Sequence, residues 1–182
     1  GENGAGKSTL ITILGGIHNA DSAKIFLGEE EVKISSVLHA QNRDIRIIHQ
    51  EIVLVPFRSI AENIFLGREL RNKAGFLDKK KMYAGTKEIM QEFGLSLSPD
   101  MLISELSIGM QQLVEIIKAV STDARIIVMD EPTSSLSEHE VEFLFRTIRL
   151  LKEKKVGIIY ISHKISELYE IADRVTVLRD GH

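Results

Sequence analysis

Two rhythms of apolar residues alternate along the chain, and the changes from one to the other mark its elements. Residues 126–130 (IIVMD) and 157–162 (GIIYIS) are short apolar runs bounded by polar residues, the pattern of strands. Between them, EHEVEFLFRTIRLLKEKK at 138–155 puts Val141, Leu144, Phe145, Ile148 and Leu151 on one stripe, the spacing of an amphipathic helix. Leu113, Ile116, Ile117 and Val120 repeat that i, i+3, i+4, i+7 spacing within GMQQLVEIIKAV. SIAENIFLG from Ser59, DKKKMYAGTKEIMQEF from Asp78 and HKISELYEIA from His163 read as further helices. Near the start, Leu10, Ile11, Ile13 and Leu14 belong to a helix that Gly15 and Gly16 should end.

The remaining strands differ in kind. KIFLGEEEVKI at 24–34 alternates and carries a turn glycine at Gly28, which suits exposed antiparallel strands. Arg46 to His49 (RIIH) is a short buried strand ending at Gln50, and RVTVLRDG at 174–181 is expected to be a strand running into a turn. Strands alternating with helices predict an α/β fold with a mostly parallel sheet, helices on both faces and an antiparallel β portion. The helical stretch 57–115 reads as an α-helical subdomain inserted between two core segments, 1–56 and 116–182.

Composition narrows the class. With 43% hydrophobic and 27% charged residues the balance is globular, which excludes a disordered tail. Twenty-three Lys and Arg against 26 Asp and Glu give a formal charge of −3, and no basic cluster exceeds Lys79 to Lys81. Those lysines suit a solvated helix face, and no nucleic-acid partner is expected. The chain has no cysteine, so disulfides and thiolate metal sites are ruled out within it. Its apolar runs fall far short of the roughly 20 residues a membrane helix needs.

The chemistry begins at residue 1. In GENGAGKSTL, Gly1, Gly6, Lys7 and Ser8 fit GxxxxGK[ST], whose glycines let backbone amides close on phosphates. The amides of Asn3, Gly4, Ala5, Gly6 and Lys7 would surround a β-phosphate at a helix N-terminus; Lys7 adds a full charge, Ser8 a Mg²⁺ ligand, and Thr9 faces the α-phosphate. Such a loop needs a strand before it. With none present, and no initiator Met, the chain reads as a piece of a longer protein, incomplete at both ends. The strand IIVMDE then delivers Asp130 and Glu131: Asp130 would hold Mg²⁺ through water, and Glu131 would orient or deprotonate the water attacking a γ-phosphate. Two acids after a buried run also cap strand ends at surfaces, so their meaning depends on the phosphate loop. Likewise Ser107 in ELSIGMQQLVEI reads, alone, as an ordinary helix N-cap.

Taken in order, these elements resemble the nucleotide-binding subunit of an ATP-binding cassette transporter. GENGAGKST matches the Walker A loop, IIVMDE the Walker B strand with its catalytic glutamate, and LSIGM at Leu106 to Met110 the signature LSGGQ. Gln50 occupies the Q-loop position, PTSSLS at 132–137 the D-loop, and His163 in YISHK the switch histidine. AENIFLGRE, QQLVEI and the ISHK…DRVTVLRDG ending are similar to the first cassette of bacterial monosaccharide importers of the ribose and galactose type.

That resemblance implies a P-loop NTPase with a RecA-like ATP-binding core, ATP and Mg²⁺ as ligands, and coupling of ATP hydrolysis to import of a monosaccharide. It implies catalytic roles for Glu131, His163 and Gln50, and metal contacts from Ser8, Gln50 and Asp130. Ser107 and Gly109 would act in trans, closing over ATP held by a second cassette paired head to tail, in tandem in the same chain. Further implied partners are transmembrane permease subunits and, indirectly, a periplasmic or extracellular sugar-binding protein. The place would be peripheral, on the cytoplasmic side of the membrane. His18 and His49 keep the ordinary reading of capping or surface residues.

The departures are Ile108 and Met110 at the third and fifth signature positions, and Ser137 where the D-loop has an acid. They leave open a cassette that binds nucleotide without hydrolysing it. A cassette ATPase outside transport is the other alternative. Chromosome-organising members carry a very long coiled coil between the Q-loop and the signature, whereas no sustained heptads lie between Gln50 and Ser107. A ribosome-linked member would be expected to show basic stretches, which are not visible.

Overall fold

The computed structural model describes residues 6–179. Helix α1 (Lys7–Leu14) starts after Gly6, whose φ of 92° is a left-handed conformation that favours glycine. It stops where the glycine pair predicts. Gly16, at φ 71°, donates to Ile13 O at 3.0 Å and Ile17 to Thr12 O at 2.8 Å, the paired bonds of a Schellman cap. A Cβ at Gly16 would meet Ser36 O at 2.2 Å, so only glycine fits.

β1 (Ile25–Leu27) and β2 (Glu30–Val32) form an antiparallel hairpin, with Leu27 opposite Glu30 across a turn that begins at Gly28, φ 69°. Helix α2 (Val37–Asn42) follows, capped by Ser36, which accepts from the His39 amide. The parallel sheet is β3 (Ile45–Ile48), β4 (Ile126–Asp130) and β5 (Gly157–Ile161), in the order β3-β4-β5. β4 is central, and Ile127, Val128 and Met129 are fully buried, so its sequence is apolar without alternation.

Between β3 and β4 the chain forms α3 (Ile60–Ile64), α4 (Lys79–Phe93), a 3-10 turn at Ile103–Glu105 and α5 (Ile108–Val120). Their starts follow local side-chain chemistry: the hydroxyls of Ser59 and Ser107 and the carboxylate of Asp78 each accept an amide of the first turn. Helices α6 (Glu138–Glu153) and α7 (Ile165–Ile171) complete the fold. One core joins sheet to helices: Ile48, Ile127 and Met129 pack in the same cluster as Ile60, Ile64, Met90, Ile116, Ile117, Leu144 and Ile148. Leu144, Phe145, Ile148 and Leu151 are the buried face of α6, as their spacing predicts.

One expected element is absent. Residues 174–179 form no strand, although Val175 and Val177 alternate as one would; both side chains stay exposed, and no strand among the described residues pairs with them. A strand lacks internal hydrogen bonds and exists only where a neighbour accepts its ladder. Asp180 to His182 lie outside the described residues.

Candidate functional site at the C-terminal ends of the parallel strands

The register of the sheet decides what meets. Ile48 lies opposite Met129, and Asp130 opposite Ile161, so Gln50, Asp130, Glu131 and His163 all leave the sheet at the same edge, beyond the carboxyl ends of β3, β4 and β5. In open α/β sheets this edge carries the ligand crevice. Gln50 is exposed there rather than a buried structural amide.

Glu131 sits one residue past β4 with φ 45°, a left-handed conformation that costs a non-glycine residue on the order of 1 kcal/mol. Its amide donates to Ile161 O at 2.9 Å, which pins it against the end of β5. From there Oε1 lies 3.2 Å from Nδ1 of His163. The imidazole is largely exposed and the carboxylate mostly covered.

Asp130 is half-buried, and burial raises its carboxyl above the usual aspartate range; the neighbouring Glu131 raises it further, while the charges of His49 and Lys7 pull it down. Lys7, at the start of α1, is thus among the charges that act on Asp130. Ser8 and Thr9 are exposed in the first turn of that helix. The expected phosphate contacts of Asn3, Gly4 and Ala5, like Gly1, fall outside the described residues.

The raised aspartate has a consequence for stability. A carboxyl whose folded pKa exceeds its unfolded value favours folding in its protonated form, and that contribution is lost as pH rises through the folded pKa. Asp130→Asn is therefore expected to raise the thermal midpoint of the nucleotide-free protein at pH 7. The gain should shrink as pH falls below the usual aspartate range, in calorimetric scans across pH. A lower midpoint at pH 7 would contradict this.

Ser107 and Gly109 are not part of that cluster. Ser107 caps α5, accepting from Met110 N at 3.2 Å, and buried Gly109 lies against the carboxylate of Glu140 on α6. A Cβ at Gly109 would approach Glu140 Oε2 to 2.3 Å. That carboxylate cannot move freely, because it accepts from the amide and the hydroxyl of Ser137, both at 2.8 Å. Ser137, where an acid was expected, thus forms the start of α6 together with Glu140. Gly109→Ala should displace Glu140 and undo this cap, costing about 1 kcal/mol in denaturant unfolding. In a Glu140→Ala background the same change should cost less; equal costs would show that the contact does not matter.

Spacing alone did not reveal three neighbours. His49, read as a capping or surface residue, acts electrostatically on Asp130 and on Glu115. Glu115 of α5 accepts from Val53 N at 3.0 Å, and Lys118 Nζ reaches Val53 O at 3.4 Å, so α5 holds the loop that follows Gln50. Glu167 of α7 is buried and accepts from Thr133, two residues after Glu131, and from Ser162, next to His163. A carboxylate at i+4 from a histidine on a polar helix start was the only local trace of it.

Against known families, residues 1–134 match the family described as ABC transporter. The chain belongs to the ABC transporter family. A putative ribose/galactose/methyl galactoside import ATP-binding protein of Agrobacterium fabrum is 48% identical over 181 residues, 100% of this chain and 35% of that protein. The ribose import ATP-binding protein RbsA of Bacillus licheniformis is 48% identical, with 37% of its length covered. A Geobacillus kaustophilus protein, also a putative ribose/galactose/methyl galactoside import ATP-binding protein, is 50% identical over 182 residues, 36% of its length. The chain thus spans about a third of the length of these relatives.

Among solved structures, a nucleotide-free ATP-binding cassette from an ABC transporter superposes with a TM-score of 0.82 at 23% identity, covering 99% of this chain and 75% of the other. The ADP conformation of MJ1267, an ATP-binding cassette of an ABC transporter, gives 0.79 at 24% identity, covering 98% and 74%. The fold is therefore the α/β fold of a P-loop NTPase cassette, with a parallel sheet, an antiparallel hairpin and helices.

Proposed function

We propose that this chain binds and hydrolyses ATP as the cassette of a monosaccharide importer, with residues 1–56 and 116–182 as nucleotide-binding core and 57–115 as the helical subdomain that meets the permease. The observation that carries the reading is the Glu131–His163 pair at 3.2 Å, next to an Asp130 that feels the charge of Lys7. In this reading Lys7 and the amides around it hold the phosphates, and Glu131 accepts a proton from the attacking water. His163, held by Glu131 through Nδ1, keeps Nε2 for the γ-phosphate.

The donors available for a cation are oxygens: the Asp130 carboxylate, the Ser8 hydroxyl and the Gln50 amide. No three His, Cys, Asp or Glu side chains converge among the described residues. That set fits Mg²⁺, which binds through one or two carboxylates plus phosphates and water rather than an all-protein cage. Bound there, Mg²⁺ would offset charge developing on the phosphates.

Ser107 and Gly109, apart from Glu131 and His163, suit contact with nucleotide on a second, head-to-tail cassette. A cavity of about 540 Å³ between β3 and α5, lined in part by His49, Val53, Arg68, Glu115 and Lys118, offers the permease a partly charged seat beside Gln50. No helix among the described residues is long and apolar enough to cross a membrane, so in this reading the cassette works through that contact. The names of the relatives support ribose or galactose as cargo, delivered by a separate sugar-binding protein. A strain lacking the gene is expected to lose uptake of labelled ribose or galactose; unchanged uptake of both would refute the assignment to import of these sugars.

A further inference from the structure

Among the described residues, the chain buries one carboxylate to which the proposed chemistry assigns no part. Glu167 on α7 is only 6% exposed, an unusual place for a charge unless donors surround it. They do. Thr133 Oγ1 donates to Oε1 at 2.7 Å; Tyr160 OH and Ser162 Oγ donate to Oε2, each at 2.8 Å; and Lys164 Nζ lies 3.3 Å from Oε1. Burial alone would raise this carboxyl, yet the bonds from Thr133, Ser162, Tyr160 and Lys164 together hold it below the usual glutamate range. Glu167 is thus kept ionised inside the protein.

The four donors come from two places. Thr133 stands two residues after Glu131, across the buried Pro132. Tyr160, Ser162 and Lys164 come from the end of β5 and the turn that bears His163. Ser162 Oγ also accepts from Lys164 N at 3.0 Å, closing that turn around the histidine, and Lys164 Nζ reaches Thr133 Oγ1 at 3.3 Å. Besides the Glu131–His163 contact itself, the segments carrying the two residues are therefore joined by the Glu131 amide on Ile161 O, by Lys164 on Thr133 and through the Glu167 carboxylate.

We propose that Glu167 is a positioning residue for ATP hydrolysis, the shared acceptor that sets Glu131 and His163 at their working separation. This rests on the ATPase reading above. A fixed carboxylate with three short bonds tolerates little drift in either segment, and a misplacement of about 1 Å in a reacting group costs on the order of a hundredfold in rate. Because the Glu167 carboxylate is taken up by the protein donors Thr133, Tyr160, Ser162 and Lys164, its loss should act on turnover and not on binding.

The test uses the full-length protein. Glu167→Gln puts an amide nitrogen among converging donors, so at least one of Thr133, Tyr160 and Ser162 loses its acceptor. Turnover of ATP is expected to fall at least tenfold, with KM and the affinity for a non-hydrolysable ATP analogue changed by less than about threefold. Added to His163→Ala, the substitution should bring little further loss, because one of the two groups whose separation it sets is already gone. Unchanged turnover, weakened analogue binding of the same size as the rate loss, or full multiplication with His163→Ala would each overturn the proposal. If Glu167→Gln does not fold, Tyr160→Phe removes a single donor and should lower turnover several-fold in the wild-type background but not in His163→Ala; equal effects in both backgrounds refute the role. Absence of turnover in the wild-type protein would instead defeat the ATPase reading, and this inference with it.

Discussion

Glu131→Gln in the full-length protein is expected to lower ATP turnover by about 10²- to 10⁴-fold, the range for removing a general base. ATP affinity should hold or rise. The amide keeps the shape of the side chain and its reach to His163, while a negative charge beside the phosphate site disappears. The backbone bond from residue 131 to Ile161 O does not involve the side chain, so the fold at the end of β4 should survive. Phosphate release and equilibrium binding of a labelled nucleotide separate the two effects. Turnover within threefold of wild type would mean that another group takes the proton. Parallel loss of binding and turnover would mean that Glu131 serves structure rather than chemistry.

His163→Ala is the second large change. Its imidazole is the one side chain that meets the Glu131 carboxylate at ion-pair distance among the described residues. Removing it would take away the proposed phosphate contact and also free Glu131 to leave its position. A loss of about 10²- to 10³-fold in turnover is expected, with Glu131→Gln adding little to it, since two groups acting as a unit are far from additive. His163→Gln should recover part of the rate, because an amide can still donate both to the carboxylate and to a phosphate. Independent, fully multiplying effects would place the two residues in separate steps.

Much of this was legible in the sequence for reasons that are local. The stripe from Leu144 to Leu151 and the unbroken apolar run of 126–129 reflect burial on one face and on two, and each survives in the structure. Ser59, Asp78 and Ser107 announce helix starts because their side chains satisfy amides three positions on. The ends of β3, β4 and β5 could be aligned because a parallel sheet puts all carboxyl ends at one edge, which brings Gln50, Asp130, Glu131 and His163 together from positions far apart in the chain.

What was illegible depends on distant partners. Helix α2 buries only Ala40 and leaves Val37 and Leu38 exposed, so no periodic stripe marks it. The alternation at 174–179 is that of a strand, but pairing is a property of two segments and one cannot declare it. Glu140 and Glu167 look like solvent-facing acids on helix starts; only the fold sets one against Gly109 and the other beneath Thr133 and Ser162.

The most direct test is a crystal structure of the full-length Glu131→Gln protein with Mg²⁺ and ATP. The expected result is one nucleotide whose phosphates lie against Lys7, with the metal within one water of Asp130 and the γ-phosphate within hydrogen-bond reach of His163. ATP bound away from the ends of β4 and β5, or phosphates on Lys7 with His163 and Asp130 remote from them, would contradict the assignment of this edge of the sheet as the site of hydrolysis.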